Sequence, residues 1–228
     1  MVVPLVSEKE WANRLDGTPL WVPEGKPTIV VVPHPDDETL AVGGLIATLR
    51  AMDAEVTVVA VTDGEHAYIE NEGLAEIRKK EQTRALARLG VAEQKIVRLG
   101  LTDSDVAAHE EELVARLGTL IRAETQVFAP WAGDFHPDHE ACARAAVLVS
   151  RAVGATLISY FFWTWHRGTV ATVDGLDLCR FPLSEETLRA KGEALAYHAS
   201  QLRHEPEPEI LPENLLWPAR MSYELFAL

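Results

Sequence analysis

The chain has 228 residues, enough to bury a substantial core as one α/β domain, and its 47% hydrophobic and 25% charged residues are ordinary for a globular protein. Its 35 Asp and Glu against 21 Lys and Arg give a formal charge of −14, which repels nucleic-acid backbones and anionic lipid surfaces and excludes both as expected partners. No stretch supplies the roughly 18 uninterrupted apolar residues of a membrane span, and the start MVVPLVSEKEW lacks the basic flank and apolar core of a signal peptide, so a cytoplasmic protein is expected.

Residues 1–27 contain Trp11 and Trp21 among several prolines, show no sustained period, and are expected to wrap the surface as an N-terminal extension. Regular alternation begins at Thr28 to Val32, a β-branched apolar run with the pattern of a strand buried on both faces, and Glu55 to Thr62 repeats it. A helix is predicted between them, from about Glu38 to Met52, which makes a βαβ unit with a right-handed crossover. The pattern continues with an amphipathic segment from Leu74 to Leu89, a strand near Lys95 to Leu99, and a helix carrying Leu113, Leu117, Leu120 and Ile121. Gln126 to Ala129 reads as a strand, followed by a helix opening at Pro137, where proline is tolerated because the first helical N–H needs no intrahelical partner.

Ala155 to Trp163 reads as a further strand, with core packing the first reading for Trp163 and Trp165. Val170 to Val173 and Leu178 to Phe181 flank an Asp174-Gly175 turn and predict an antiparallel hairpin. Ser184 caps a last long helix, and the proline-rich tail over 205–228 is expected to be irregular. The whole of 1–228 is thus expected to be a single α/β domain with a Rossmann-like, doubly wound, mostly parallel sheet, helices on both faces and a C-terminal antiparallel hairpin. Cys142 and Cys179 stand in different elements without CxxC spacing, which points to buried free thiols.

In doubly wound sheets ligands sit beyond the carboxyl ends of the strands, so the residues just after each strand carry the most information. After Thr28 to Val32 come His34, Asp36, Asp37 and Glu38; after Gln126 to Ala129 come Asp134, His136, Asp138 and His139. Imidazoles mixed with carboxylates at two strand ends suit a borderline-soft divalent metal, zinc above all. Three protein ligands would leave a position for water, as a hydrolytic site needs, with neighbouring groups free to handle protons. The spacing leaves open which of Asp36 and Asp37, and which of His136 and His139, does which.

PHPDDE after an apolar strand with HPDH far downstream resembles the PIG-L/LmbE-like N-acetylglucosaminyl deacetylases, including those of the mycothiol and bacillithiol pathways. Weaker matches follow in order: Thr62 to Glu65, Arg78 with Glu81, Gly100 with Asp103, and Lys191 with Ser200-Gln201. The resemblance implies one Zn²⁺ per chain held by His34, Asp37 and His139, with Asp36 as general base. It implies His136, oriented by Asp138, as the group that stabilises the oxyanion and passes a proton to the departing amine. The resemblance also places Arg78 and Asp103 near the hydroxyl groups of a small-molecule N-acetylated sugar, with Arg78 able to fork onto adjacent oxygens or a substrate phosphate. A homo-oligomer is a candidate assembly on resemblance alone. The sequence departs from the family at Pro33, where alanine commonly precedes the histidine, and in the tryptophan-rich segment Tyr160 to His166. Competing readings are an amidase for a larger acyl group, a metal-dependent phosphoesterase, which would often need two ions, and a non-catalytic binding module.

Overall fold

The structure is a computed structural model that describes residues 4–68, 72–203 and 208–228. Residues 1–3 of the expected extension and 205–207 of the expected tail lie outside the described residues. Within the extension Ser7 and Glu10 form a reciprocal cap that starts α1 (Glu8–Leu15), and the helix buries Trp11 edge-on against Trp165. The lack of a long apolar period had hidden this two-turn helix.

The β-branched run forms β1 (Thr28–Val32), buried along its whole length. It is followed by α2 (Asp37–Ala51), β2 (Val56–Thr62), α3 (Leu74–Arg88), β3 (Ile96–Leu101), α4 (Glu110–Gly118), β4 (Gln126–Pro130), α5 (Pro137–Val153) and β5 (Thr156–Tyr160). Strand alternation divides the core into two layers. Val30 and Val32 pack with Leu45, Ile46 and Leu86 from α2 and α3, whereas Ile29 and Val31 pack with Leu113, Leu117, Ala145 and Val149 from α4 and α5. The seven-stranded sheet has the order β3-β2-β1-β4-β5-β7-β6, and its first five members are parallel. Winding therefore reverses between the adjacent strands β1 and β4, and the two polar clusters follow these two strands.

The segment after β5 corrects the expected strand to Trp163. The strand stops at Tyr160, and the chain turns into the short α6 (Thr164–Arg167). The cause is Asp134, whose buried carboxylate accepts the main-chain N–H groups of Phe162, Trp163 and Thr164 at 3.1, 3.2 and 2.9 Å and the Thr164 hydroxyl at 2.7 Å. Val170 to Val173 forms a 3-10 turn instead of a hairpin arm. The antiparallel pair at this end of the sheet consists of β6 (Leu178–Pro182) and β7 (Tyr223–Ala227), with α7 (Glu185–Leu195) and α8 (Ala199–Leu202) between them in sequence. The expected irregular tail thus ends in a strand inserted between β5 and β6; it follows a proline-rich stretch, and Glu224 interrupts its apolar run.

That strand also acts on α2. The helix departs from helical geometry at Val42 (φ −132°, ψ 15°), and the N–H groups of Gly44 and Leu45 donate to the Glu224 carboxylate at 2.7 and 2.8 Å. Lys191 reaches the same carboxylate at 2.7 Å, with both side chains 1% exposed. A Cβ on Gly44 would lie 2.4 Å from Leu183 Cδ2 and 3.1 Å from Glu224 Oε1, so the glycine leaves room for both side chains. Removing one partner of a buried pair strands the other charge. Glu224→Ala is therefore expected to lower stability by about 3 kcal/mol in urea unfolding; a loss below about 1 kcal/mol would show that the pair and cap contribute little.

Candidate metal centre

The chain leaves β1 through Pro33 and brings His34, Asp36 and Asp37 to the start of α2. Asp37 is buried, and its Oδ2 accepts the His34 main-chain N–H at 3.0 Å. The same oxygen lies 3.3 Å from His34 Nδ1 and 3.2 Å from His139 Nε2. One ligand atom from each of His34, Asp37 and His139 falls within 4.8 Å of the others. His139 Nε2 is fully buried, yet it makes no hydrogen bond of acceptable geometry among the described residues despite that short approach. Two imidazole nitrogens and a carboxylate oxygen that converge without bonding one another well fit a small divalent cation, and this donor set suits zinc.

Each histidine has a carboxylate on its other nitrogen. His139 Nδ1 lies 2.8 Å from Asp134 Oδ2, and His34 Nε2 lies 3.0 Å from Asp138 Oδ2 and 3.3 Å from Asp103 Oδ1. Such contacts fix the ring and its tautomer and strengthen the nitrogen that faces a metal. Asp134, which follows β4 in the same polar cluster, thus holds both His139 and the turn into α6. Asp134→Asn is expected to weaken zinc binding by about 10- to 100-fold in a competitive chelator titration; unchanged affinity would limit its role to the turn.

Asp36 stands beside the trio without joining it. Its backbone has φ +153° and ψ −29°, a conformation rare for a residue with a side chain and one that costs on the order of 1–3 kcal/mol. Two contacts with Arg78 restrain it, the Nη2 donating to Asp36 Oδ2 at 3.2 Å and to the Pro35 carbonyl at 3.1 Å. Arg78 Nη1 donates to the Gly64 carbonyl at 3.0 Å, and a Cβ on Gly64 would lie 2.1 Å from that nitrogen. The glycine of the TDGE segment therefore makes room for the guanidinium. Burial pushes the Asp36 carboxyl up to about 7, against the opposing pull of Arg78. Arg78 is 3% exposed, lines the cavity and has its Nη1 and Nη2 engaged by Asp36 and two main-chain carbonyls. Its helical neighbour Glu81 instead accepts the Ser200 main-chain N–H and hydroxyl at 2.9 and 2.6 Å.

His136 begins α5, and its Nδ1 accepts the Asp138 main-chain N–H at 3.2 Å. The expectation that Asp138 orients His136 is met through the backbone only. The Asp138 carboxylate turns to His34 and to the N–H groups of Ser104 and Val106 at 2.8 and 3.2 Å. A second trio of His34, His136 and Asp138 also satisfies metal spacing, but it would draw on this carboxylate already committed to the loop after β3. Burial and the neighbouring His34 and His139 push the His136 imidazole down to about 4. Its ring stacks on Trp163 at 5.9 Å, and the Arg167 guanidinium lies 3.9 Å from the same indole.

Asp103 is buried beside His34, and its Oδ2 accepts the His66 main-chain N–H at 3.0 Å. A cavity of about 200 Å³ brings together all the predicted site residues except Asp138 and His139, which lie behind its wall. Trp163, Ile210 and Leu211 also line it, contributions that no local motif signals. His198 is buried ahead of α8, with Nε2 3.0 Å from the Thr39 hydroxyl.

The family model described as GlcNAc-PI de-N-acetylase (PIG-L) matches residues 29–150. A probable N-acetyl-alpha-D-glucosaminyl L-malate deacetylase 2 of Bacillus subtilis is 32% identical over 131 residues, which cover 52% of this chain and 58% of that protein's length. A 1D-myo-inositol 2-acetamido-2-deoxy-alpha-D-glucopyranoside deacetylase of Corynebacterium glutamicum is 28% identical over 226 residues, covering 78% of this chain and 76% of the relative. Among solved structures, the zinc inhibited form of teicoplanin deacetylase Orf2 superposes with a TM-score of 0.70 at 19% identity, over 88% of this chain and 97% of that one, a likeness of fold.

Proposed function

Because the chain belongs to the PIG-L family, we propose that it hydrolyses the acetamide of an N-acetylglucosamine-type sugar or its conjugate, releasing acetate and the free amine. The observation that carries this reading is the convergence of His34, Asp37 and His139 beside the unligated Asp36. These three residues would hold one zinc ion per chain. When bound, zinc supplies a Lewis acid that polarises the amide carbonyl and lowers the pKa of water toward about 7.

Asp36 accepts the proton of the attacking water at its carboxylate, which Arg78 holds in place. His136 Nδ1 is an acceptor for a main-chain N–H, which leaves its single ring proton on Nε2. That Nε2–H donates to the oxygen that gains charge as the amide carbon becomes tetrahedral. The proton transfer to the amine expected of His136 would need an imidazolium, which the push of its pKa down to about 4 disfavours, so we assign return of the proton to Asp36. Asp103 and Ser104 at the cavity offer hydrogen bonds to the sugar hydroxyls.

We also place the reaction in the cytosol. Cys142 and Cys179 are buried free thiols, and among the described residues no helix is long and apolar enough to cross a membrane. The test is release of acetate and amine from a panel of N-acetylated sugars by zinc-loaded and metal-stripped protein. Metal-dependent release in equal amounts is expected, and no release from any member would overturn the reading.

A further inference from the structure

We infer that the sugar taken by this site carries an uncharged, apolar aglycone, and that Ile210 is a specificity-determining residue for it. The inference rests on the deacetylase reading and adds the class of group attached to the sugar.

The first observation is an apolar wall. Phe162, Trp163, Ile210 and Leu211 line the same cavity as the metal-ligating and proton-handling side chains. Phe162 and Leu211 are buried and belong to a cluster with Leu40, Leu195 and Leu216, against which Trp163 and Ile210 pack while remaining part-exposed. The wall is also fixed in place. Leu211 N–H donates to the Gln201 carbonyl at 3.0 Å, Ile210 N–H donates to the Tyr68 hydroxyl at 3.3 Å, and that hydroxyl donates to the Ser200 carbonyl at 3.1 Å. Ser200 is in turn held by Glu81. Apolar surface set beside a polar reaction centre is covered best by an apolar part of the ligand.

The second observation is the charge of the cavity. Arg78 is the one ammonium or guanidinium among the described residues that line it, and its terminal nitrogens are engaged by Asp36 and two carbonyls. Arg167 lies over Trp163 and donates to the Phe135 carbonyl at 2.6 Å. Asp36, Asp37 and Asp103 line the cavity beside this one guanidinium, so the acidic side chains of the lining outnumber its permanent cations. A phosphate or carboxylate on the aglycone finds no unengaged guanidinium or ammonium there to pair with.

Depth separates the aglycone from the acyl group. The reacting carbonyl must reach the floor, where Asp37 and His139 are 2% and 0% exposed. Trp163 and Ile210 are part-exposed and line the cavity beside that floor, within reach of a group attached to the sugar.

The test compares methyl, phenyl and malate glycosides of N-acetylglucosamine, N-acetylglucosamine 1-phosphate and an N-hexanoyl methyl glycoside. In kcat/KM the phenyl glycoside is expected to exceed the methyl glycoside and both anionic compounds by about tenfold or more. Binding of the matching free-amine glycosides to zinc-free protein, followed by calorimetry, should give the same order. Ile210→Ser should shrink the phenyl-over-methyl ratio to about threefold or less. Equal use of phenyl and methyl glycosides, preference for either anion, or preference for the N-hexanoyl compound would overturn the inference. Absence of acetate release from every compound alongside preferential binding of the phenyl amine would instead overturn the deacetylase reading and leave the aglycone preference standing.

Discussion

Asp36→Ala is expected to bind zinc like the parent protein and to lose turnover by about 10³-fold or more, near the upper part of what a positioned general base contributes. The two halves of this result follow from different contacts. Asp37, His34 and His139 meet at Asp37 Oδ2, and Asp36 has no atom in that group. The Asp36 carboxylate faces Arg78 instead, on a backbone held at φ +153°. An alanine relieves none of the requirement for that backbone, so it should leave the trio assembled and remove the proton acceptor. Metal content measured by mass spectrometry, together with single-turnover acetate release, reads both quantities. Loss of zinc from this variant would mean that the roles of the adjacent carboxylates are exchanged.

His139→Ala should produce the opposite separation, losing the metal while keeping the fold. Supporting contacts around a ligand are worth about 10- to 100-fold in affinity, and removal of the ligand itself should exceed that range. The variant leaves Asp37 buried with His34 alone and frees Asp134, whose remaining bonds to Phe162, Trp163 and Thr164 preserve the turn into α6. Circular dichroism close to the parent's, with substoichiometric zinc after dialysis, is the expected outcome. Full zinc content would refute ligation by His139.

The parts of this protein that were legible in its sequence are those governed by local periodicity. The β-branched runs at Thr28–Val32 and Val56–Thr62, and the helices between strands, follow from burial on both faces of a parallel sheet. PHPDDE and HPDH were legible for a related reason, since each sits directly after its strand and the winding of the sheet brings β1 and β4 side by side. Contacts between distant segments were not legible. Asp134 redirects residues about thirty positions downstream, and the Asp138 carboxylate crosses to His34 while its main-chain N–H serves His136. Arg78 has the same spacing from Glu81 that a surface ion pair would have, yet only the fold turns it inward to Asp36. β7 carries Glu224 within a short apolar run, a charge that only its bonds to α2 and Lys191 explain.

The insertion of β7 between β5 and β6 also imposes an order on biosynthesis. A nascent chain that has emerged through α8 already carries both polar motifs, but β5 and β6 still have unpaired edges toward each other. Until Glu224 leaves the ribosome, the bend in the helix that starts at Asp37 has no acceptor for its two free amides, and Lys191 has no counter-charge. Such exposed edges invite pairing with the wrong strand.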